Sequence, residues 1–233
     1  MKKLHFVLAA MLLLGMSATT VVMAQKSTAK KAAVAAPAVQ APNVDSILFS
    51  EVKYRLVGPF RGGRSAAVTG SYVNNNTFYF GATGGGLWKT TDGGSNWKNL
   101  SDKKIGGNIG AIAVAPSDEN ILYVGEGENT MRGNVAEGLG GMWRSSDGGK
   151  TFTNIGLKEG RHIVRMIVHP KNPDIVWAAV MGHLFGPNEN RGVYKSVDGG
   201  ATWKKVLYVN PQTGASDLII DPSNPDVMYA GTW

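Results

Sequence analysis

Ser145-Ser146-Asp147-Gly148-Gly149-Lys150-Thr151-Phe152 is one of three near-copies of a single phrase. Thr90-Thr91-Asp92-Gly93-Gly94-Ser95-Asn96-Trp97 precedes it, and Ser196-Val197-Asp198-Gly199-Gly200-Ala201-Thr202-Trp203 follows. The shared form is Ser/Thr-x-Asp-Gly-Gly-x-Thr/Asn-aromatic, and the aspartates are 55 and 51 residues apart. Self-similarity at that period marks an array of supersecondary units. A second phrase keeps the same period. It reads Val114-Ala115-Pro116 with Ile121-Leu122-Tyr123, then Val168-His169-Pro170 with Ile175-Val176-Trp177, then Ile220-Asp221-Pro222 with Val227-Met228-Tyr229, its prolines 54 and 52 residues apart. Residues 71–81 read as an earlier copy without the proline.

Each unit is made of strands and turns. The Asp-Gly-Gly elements follow short runs that end in a basic residue: Gly86-Leu87-Trp88-Lys89, Gly141-Met142-Trp143-Arg144 and Gly192-Val193-Tyr194-Lys195. Pro, Asn and Asp between the runs are turn chemistry, because Pro presets φ and Asn and Asp side chains bond nearby backbone. The glycines supply positive φ. The runs themselves, rich in Val, Ile, Tyr and Trp, suit strands. Trp97, Phe152 and Trp203, five residues after each Asp, are expected to anchor neighbouring units. Four short strands in roughly 50 residues match the blade of a β-propeller. The chain is therefore read as all-β, a β-propeller with four-stranded blades, about three and a half of them present.

The three phrases resemble the Asp-box, or BNR repeat, of sialidases, sortilin-type receptors and related secreted propellers. Tyr54-Arg55-Leu56-Val57-Gly58-Pro59-Phe60-Arg61-Gly62-Gly63-Arg64 is similar to the opening of large bacterial propellers labelled sortilin-like (VPS10) or glycosyl hydrolase-like. The segments around Gly125-Glu126-Gly127-Glu128 and Gly182-His183 share that likeness, which spans residues 51–233. The resemblance implies a scaffold binding a protein, peptide or carbohydrate, with a glycoside hydrolase or sialidase-like enzyme and an assembly factor as alternatives. One fold hosts many functions, so the activity must be argued from the site.

Residues 1–24 read as a secretory signal: Lys2 and Lys3, an apolar core over residues 6–14, and Val22-Met23-Ala24 before Gln25. That core is too short to span a membrane. Residues 25–43 form an Ala/Lys/Pro spacer, and the propeller is expected over residues 44–233. Export to the periplasm, outer surface or medium follows, with no membrane span after cleavage. There is no Cys, hence no disulfide or lipoprotein anchor. Five of the 24 basic residues lie in the leader and spacer, leaving 19 against 17 acidic ones. Nucleic-acid binding is not expected from so small an excess. The chain stops at Gly231-Thr232-Trp233, in mid-repeat, which is read as the N-terminal piece of a longer propeller; a half-propeller closing as a dimer is the alternative.

Several residues invite chemistry. Asp92, Asp147 and Asp198 are read as structural, because an Asx-type turn uses up their oxygens. Glu126 and Glu128 lie on one face if their strand continues. Paired carboxylates about 5–9.5 Å apart carry glycoside hydrolysis. A salt-bridged loop is the plainer alternative. Arg132 and Glu137 share that long segment. Arg61 and Arg64 can hold a carboxylate bidentately or pair with loop carboxylates. His183, in a Gly-flanked loop, is a ligand-face candidate, whereas His162 and His169 are read as structural. Xyloglucan-cleaving propellers place a catalytic Asp in the Gly-rich segment of the first blade. Residues 81–88 here, Gly-Ala-Thr-Gly-Gly-Gly-Leu-Trp, hold no carboxylate. Neither a metal-ligand spacing nor a phosphate loop is present, so no metal and no cofactor are expected.

Overall fold

The computed structural model describes residues 64–128 and 135–233; the expected signal over residues 1–24, the expected spacer over 25–43 and the residues up to 63 lie outside them. The first sheet comprises β1 (Arg64–Gly70), β2 (Phe78–Thr83), β3 (Gly86–Thr90) and β4 (Lys98–Asn99). The second comprises β5 (Ile109–Ala115), β6 (Asp118–Glu126), β7 (Met142–Ser145) and β8 (Thr153–Gly156). The third comprises β9 (Ile163–Val168), β10 (Val176–Val180), β11 (Gly192–Ser196) and β12 (Lys204–Leu207). Within each, consecutive strands pair antiparallel. A two-stranded sheet follows, β13 (Ala215–Ile220) with β14 (Met228–Thr232). The only helical turn among the described residues is a 3-10 turn at Lys158–Gly160. Three four-stranded sheets and half of a fourth are the β-propeller architecture that the repeat period predicts.

The first strands of successive sheets pack on one another, β1 on β5, β5 on β9 and β9 on β13. Together they line one hollow of about 510 Å³. The inner strands are therefore sandwiched, and all seven residues of β5 are buried. Alternation sorts side chains between two separate cores. Leu122 and Val124 of β6 join Tyr79 and Leu87 between the first and second sheets. Ile121 and Tyr123, one residue out of phase, join Val176 and Ala178 between the second and third. A further core with Trp177, Ala179 and Leu218 lies between the third sheet and β13–β14. Ile109 and Ile112 share a core despite their odd spacing, because a bulge between Ile109 and Ala111 shifts the register. Gly125 is small by necessity: a Cβ there would lie 2.6 Å from Ile163 Cβ on the next inner strand.

The Asp-Gly-Gly turns join the third and fourth strands of each sheet. Asp147 Oδ1 accepts from Lys150 N–H and Thr151 N–H, each at 2.9 Å, and Oδ2 accepts from the Thr151 hydroxyl at 2.6 Å. The Ser145 hydroxyl donates to Asp147 at 2.8 Å and accepts from Gly149 N–H at 2.9 Å. Gly148 and Gly149 have φ of 71° and 91°, the left-handed region that a side chain disfavours. Asp92 and Asp198 repeat the arrangement with Asn96 and Thr202. Bonds of this kind favour the ionised form. The Asn96 backbone N–H, ahead of its side chain, lowers Asp92 to about 2. The Thr202 hydroxyl, ahead of its N–H, lowers Asp198 to about 2. Asp147 is lowered further, by the Thr151 hydroxyl first.

Each turn also binds its own sheet's first turn, and the second and third turns bind the sheet before them. Gly93, Gly148 and Gly199 N–H donate to Asn76, Asn120 and Asp174 carbonyls at 3.0, 3.0 and 2.9 Å. Gly149 sits on Leu100 and Gly200 on Ile155, with no room for a Cβ in either case. Trp203 Nε1 donates to the Ile155 carbonyl at 2.6 Å, and Phe152 packs on the core between the first and second sheets. Trp97 differs from the expected anchor: it packs edge-on against Phe80 of its own sheet, at 4.8 Å, and is 39% exposed. No preceding sheet stands beside it among the described residues.

Two outcomes follow. Hydrogen bonding holds all three aspartates below the usual carboxylate value of about 3.9, so their stabilisation is present above that pH and declines as pH falls, that of Asp92 and Asp198 being lost through about 2 and that of Asp147 lower still. Thermal melts from pH 6 to pH 2 are expected to show a declining midpoint over the acid end, and Asp147→Ala to lower it at neutral pH; an unchanged midpoint would count against the turn's role. Gly125→Val is expected to cost about 1–3 kcal/mol in urea unfolding, from overpacking against Ile163.

Candidate functional site

The other end of the sheets carries the remaining loops, where the chain leaves each second strand and where it crosses between sheets. β6 ends at Glu126, and Gly127, with φ of 102°, turns the chain. The alternation that would place Glu126 and Glu128 on one face stops there. Glu126 is 3% exposed and accepts from Gly106 N–H at 3.0 Å, Gly140 N–H at 2.9 Å and Trp143 Nε1 at 2.6 Å. It ties a crossing segment, a loop and β7 to one carboxylate. Glu128, 4% exposed, accepts from Arg64 Nε at 2.9 Å and from a second Arg64 nitrogen, and from Ala136 N–H at 3.1 Å. Both are buried and hydrogen-bonded, as a structural carboxylate is. Arg64 thus pairs with a loop carboxylate. Arg61 and Arg132 lie outside the described residues.

Behind Glu128 sits His162, fully buried, its Nδ1 2.8 Å from the Glu128 carbonyl. Burial lowers its pKa, because desolvation penalises the charged ring. A neutral ring donates through Nδ1–H to that carbonyl and keeps Nε2 as an acceptor. Nε2 is buried with no hydrogen-bond partner among the described residues.

His183 is the sequence candidate that the structure surrounds with other titratable groups. Its Nδ1 lies 3.5 Å from Glu137 Oε1 and its Nε2 3.7 Å from Glu159 Oε2. Arg161 lies 3.2 Å from the same Glu159 oxygen. Glu137 comes from the loop between β6 and β7, Glu159 from the crossing between β8 and β9, and His183 from the loop between β10 and β11. Backbone bonds bring the three together: Gly138 N–H donates to the Arg161 carbonyl at 2.8 Å, and Met181 N–H to the His162 carbonyl at 2.9 Å. Glu137, His183 and Glu159 remain 39%, 35% and 63% exposed at their side chains, open to a ligand.

The His183 loop is held from inside. Arg191, 5% exposed, donates to the carbonyls of Met181 at 2.7 Å, His183 at 2.5 Å and Gly186 at 3.3 Å. Asn188 Nδ2 adds a bond to the His183 carbonyl at 3.1 Å. The loop presents Phe185, 81% exposed, two residues from His183. A bare aromatic ring and a set of hydroxyl-bonding side chains suit a sugar, whose C–H faces stack and whose hydroxyls both donate and accept. Glu159 and Arg161 escape a reading by motif. Leu157 and Arg161, both at φ 53°, bracket the 3-10 turn and aim these side chains. Such strained positions gather at functional sites, but nothing in the residue types announces them. Among the described residues no group of three or more His, Asp or Glu is placed to hold a metal ion.

No family model matches the chain. It is 28% identical over 189 residues to the xyloglucanase Xgh74A of Acetivibrio thermocellus, covering 70% of this chain and 20% of that protein. It is 31% identical over 155 residues to a xyloglucanase of Hypocrea jecorina, covering 60% of this chain and 17% of that one. Among solved structures, an ancestral GH74 enzyme superposes with a TM-score of 0.61 at 23% identity, over 76% of this chain and 23% of its own. The GH74 enzyme of Niastella koreensis gives 0.56 at 23% identity, over 73% and 27%. The chain spans about a fifth of the length of these curated relatives. The structural likeness shows the fold, a β-propeller.

Glu126→Gln is expected to lower stability by about 1–3 kcal/mol, since an amide NH₂ would face donors that now have an acceptor. Urea unfolding measures it. A full loss of hydrolytic activity with unchanged stability would instead make Glu126 a catalyst.

Proposed function

We propose that this chain is part of an exported glycan-binding β-propeller of the glycoside hydrolase kind, whose substrate is a xyloglucan-type polysaccharide. The observation that carries the proposal is the likeness, at 26–31% identity over 60–77% of the chain, to five proteins each named a xyloglucanase. The geometry supports it at the loop end, where Glu137, His183 and Glu159 meet and the His183 loop also carries the exposed Phe185. This favours the hydrolase reading over the sortilin-like peptide scaffold with which the Asp-Gly-Gly repeats are also compatible.

In such a role Phe185 stacks on a sugar ring. The two carboxylates accept from its hydroxyls, and His183 donates or accepts at the position between them. Glycoside hydrolysis requires a carboxyl that reaches the glycosidic oxygen and a second on the other face of the ring. Glu137 and Glu159 are exposed enough to meet a ligand; Glu126 and Glu128 are not. A second reading, saccharide binding without cleavage, draws on the carboxylate-free segment of residues 81–88 and the saturated state of Glu126 and Glu128.

The test is affinity electrophoresis of the chain through gels with and without xyloglucan, alongside a reducing-sugar assay. Retardation is expected in xyloglucan, reduced at least tenfold in affinity by Phe185→Ala or by Glu137→Gln with Glu159→Gln. Equal mobility in both gels by a folded chain would sink the glycan reading, and retardation insensitive to those changes would move the site elsewhere. Sugar release would decide for hydrolysis over binding alone.

A further inference from the structure

The second and third sheets, both four-stranded, leave a groove of about 560 Å³ between them, beside the Asp198 turn. Arg144, Ser146 and Thr153 are part of one wall, and Asp198, Ala201 and Trp203 are part of the other. The volume lies within the range of clefts that hold small ligands, ~300–1,000 Å³. Two of the lining side chains are short where other copies of the repeat are long. Counted from the turn aspartates, Thr153 stands where the first and third sheets have Lys98 and Lys204. Ala201 stands where the Asp147 turn has Lys150. The joint between the first and second sheets thus carries two lysines, Lys98 and Lys150, at the positions that here hold a hydroxyl and a methyl group. The aromatic differs as well. Phe152 packs on the core between the first and second sheets. Trp203 also packs on a core, but its indole, held by the bond of Nε1–H to the Ile155 carbonyl at 2.6 Å, lines the groove too.

We propose that this groove between the second and third sheets is a second saccharide site, which takes a neutral sugar unit of the glycan. The site rests on the glycan-binding reading above, and none of its lining residues belongs to the Glu137, His183 and Glu159 group. The charges favour a neutral ligand over an anion. Arg144, the one basic residue lining the groove among the described residues, already pairs with Asp174 at 2.7 Å. Asp198 is ionised, its pKa held at about 2 by the Thr202 hydroxyl first. An anion would therefore meet a carboxylate and a guanidinium that has its partner. The polar groups suit sugar hydroxyls. Asp198 Oδ2 accepts from the Thr202 hydroxyl alone among the described residues, so a lone pair remains for a second donor. Ser146 and Thr153, both exposed, carry hydroxyls that donate and accept. The apolar body of the Trp203 indole suits the C–H face of a sugar ring. Because Ile155 already holds the indole, little freedom is lost in ordering it on binding.

The test is a nuclear magnetic resonance titration of the isotope-labelled 233-residue chain with a xyloglucan oligosaccharide. The Trp203 indole N–H and the Gly199, Gly200 and Ala201 amides report on the groove, and the His183 and Gly186 amides on the loop end. Saturable shifts in the groove are expected. Thr153→Lys with Ala201→Lys is expected to weaken binding there at least tenfold and to leave the loop-end shifts in place; Phe185→Ala is expected to do the reverse. Unchanged signals elsewhere in the spectrum show that the variants fold. Shifts at the loop end with none in the groove would overturn the groove site and leave the glycan-binding reading standing. Shifts in the groove with none at the loop end would support the groove site and count against the loop-end one. No shift anywhere in a folded chain would overturn both. Groove shifts that ignore the two lysines, or that inorganic phosphate produces and the oligosaccharide does not, would overturn the saccharide site.

Discussion

Among the described residues, no sheet covers its own two faces. A four-stranded antiparallel meander buries one side chain in two on each face, and both faces here are apolar at the inner strands. The sequence of cores between successive sheets answers that requirement, each core built half from one sheet and half from the next. Everything else is subordinate to that packing. The bulges after Ile109 and near Ile163 adjust phase where a strand enters it. Glycine at position 125 lets Ile163 approach. The Asp147 and Asp198 turns lock the outer halves of the second and third sheets onto their predecessors, so that inner strands and outer turns close the same interface from two ends.

How much of this was legible depends on whether a residue acts on its own turn or on a distant partner. The Asp-Gly-Gly turns are local: Asp147 bonds residues three and four positions on, and Gly148 and Gly149 are needed for backbone angles within the same turn. A local device leaves its signature in consecutive letters, and three copies at one period fix the architecture. The aromatic after each turn was half legible. Phe152 and Trp203 bridge sheets, while Trp97 folds back on Phe80, a difference set by what stands next to it and not by its own sequence.

The loop end is less legible in the sequence, for the opposite reason. Glu126 draws its donors from residues 106, 140 and 143, and Glu128 from 64 and 136. Two carboxylates two residues apart resemble an acid–base pair until their partners are seen. The group that does stay open, Glu137 with His183 and Glu159, gathers three separate segments, joined by bonds from Gly138 and Met181 whose ends are far apart in the chain. His183 was visible as a histidine among glycines; its carboxylates belong to neighbouring sheets.

Each sheet is cut from one uninterrupted stretch of chain, with no strand borrowed from another repeat among the described residues. Structural boundaries therefore coincide with sequence boundaries. A growing chain can finish one sheet's hydrogen bonding before the next has left the ribosome, and long loop closures are never required. The same coincidence makes the repeat a unit of inheritance. Duplicating or deleting about fifty residues adds or removes a whole sheet, with the turns at one end supplying the joint.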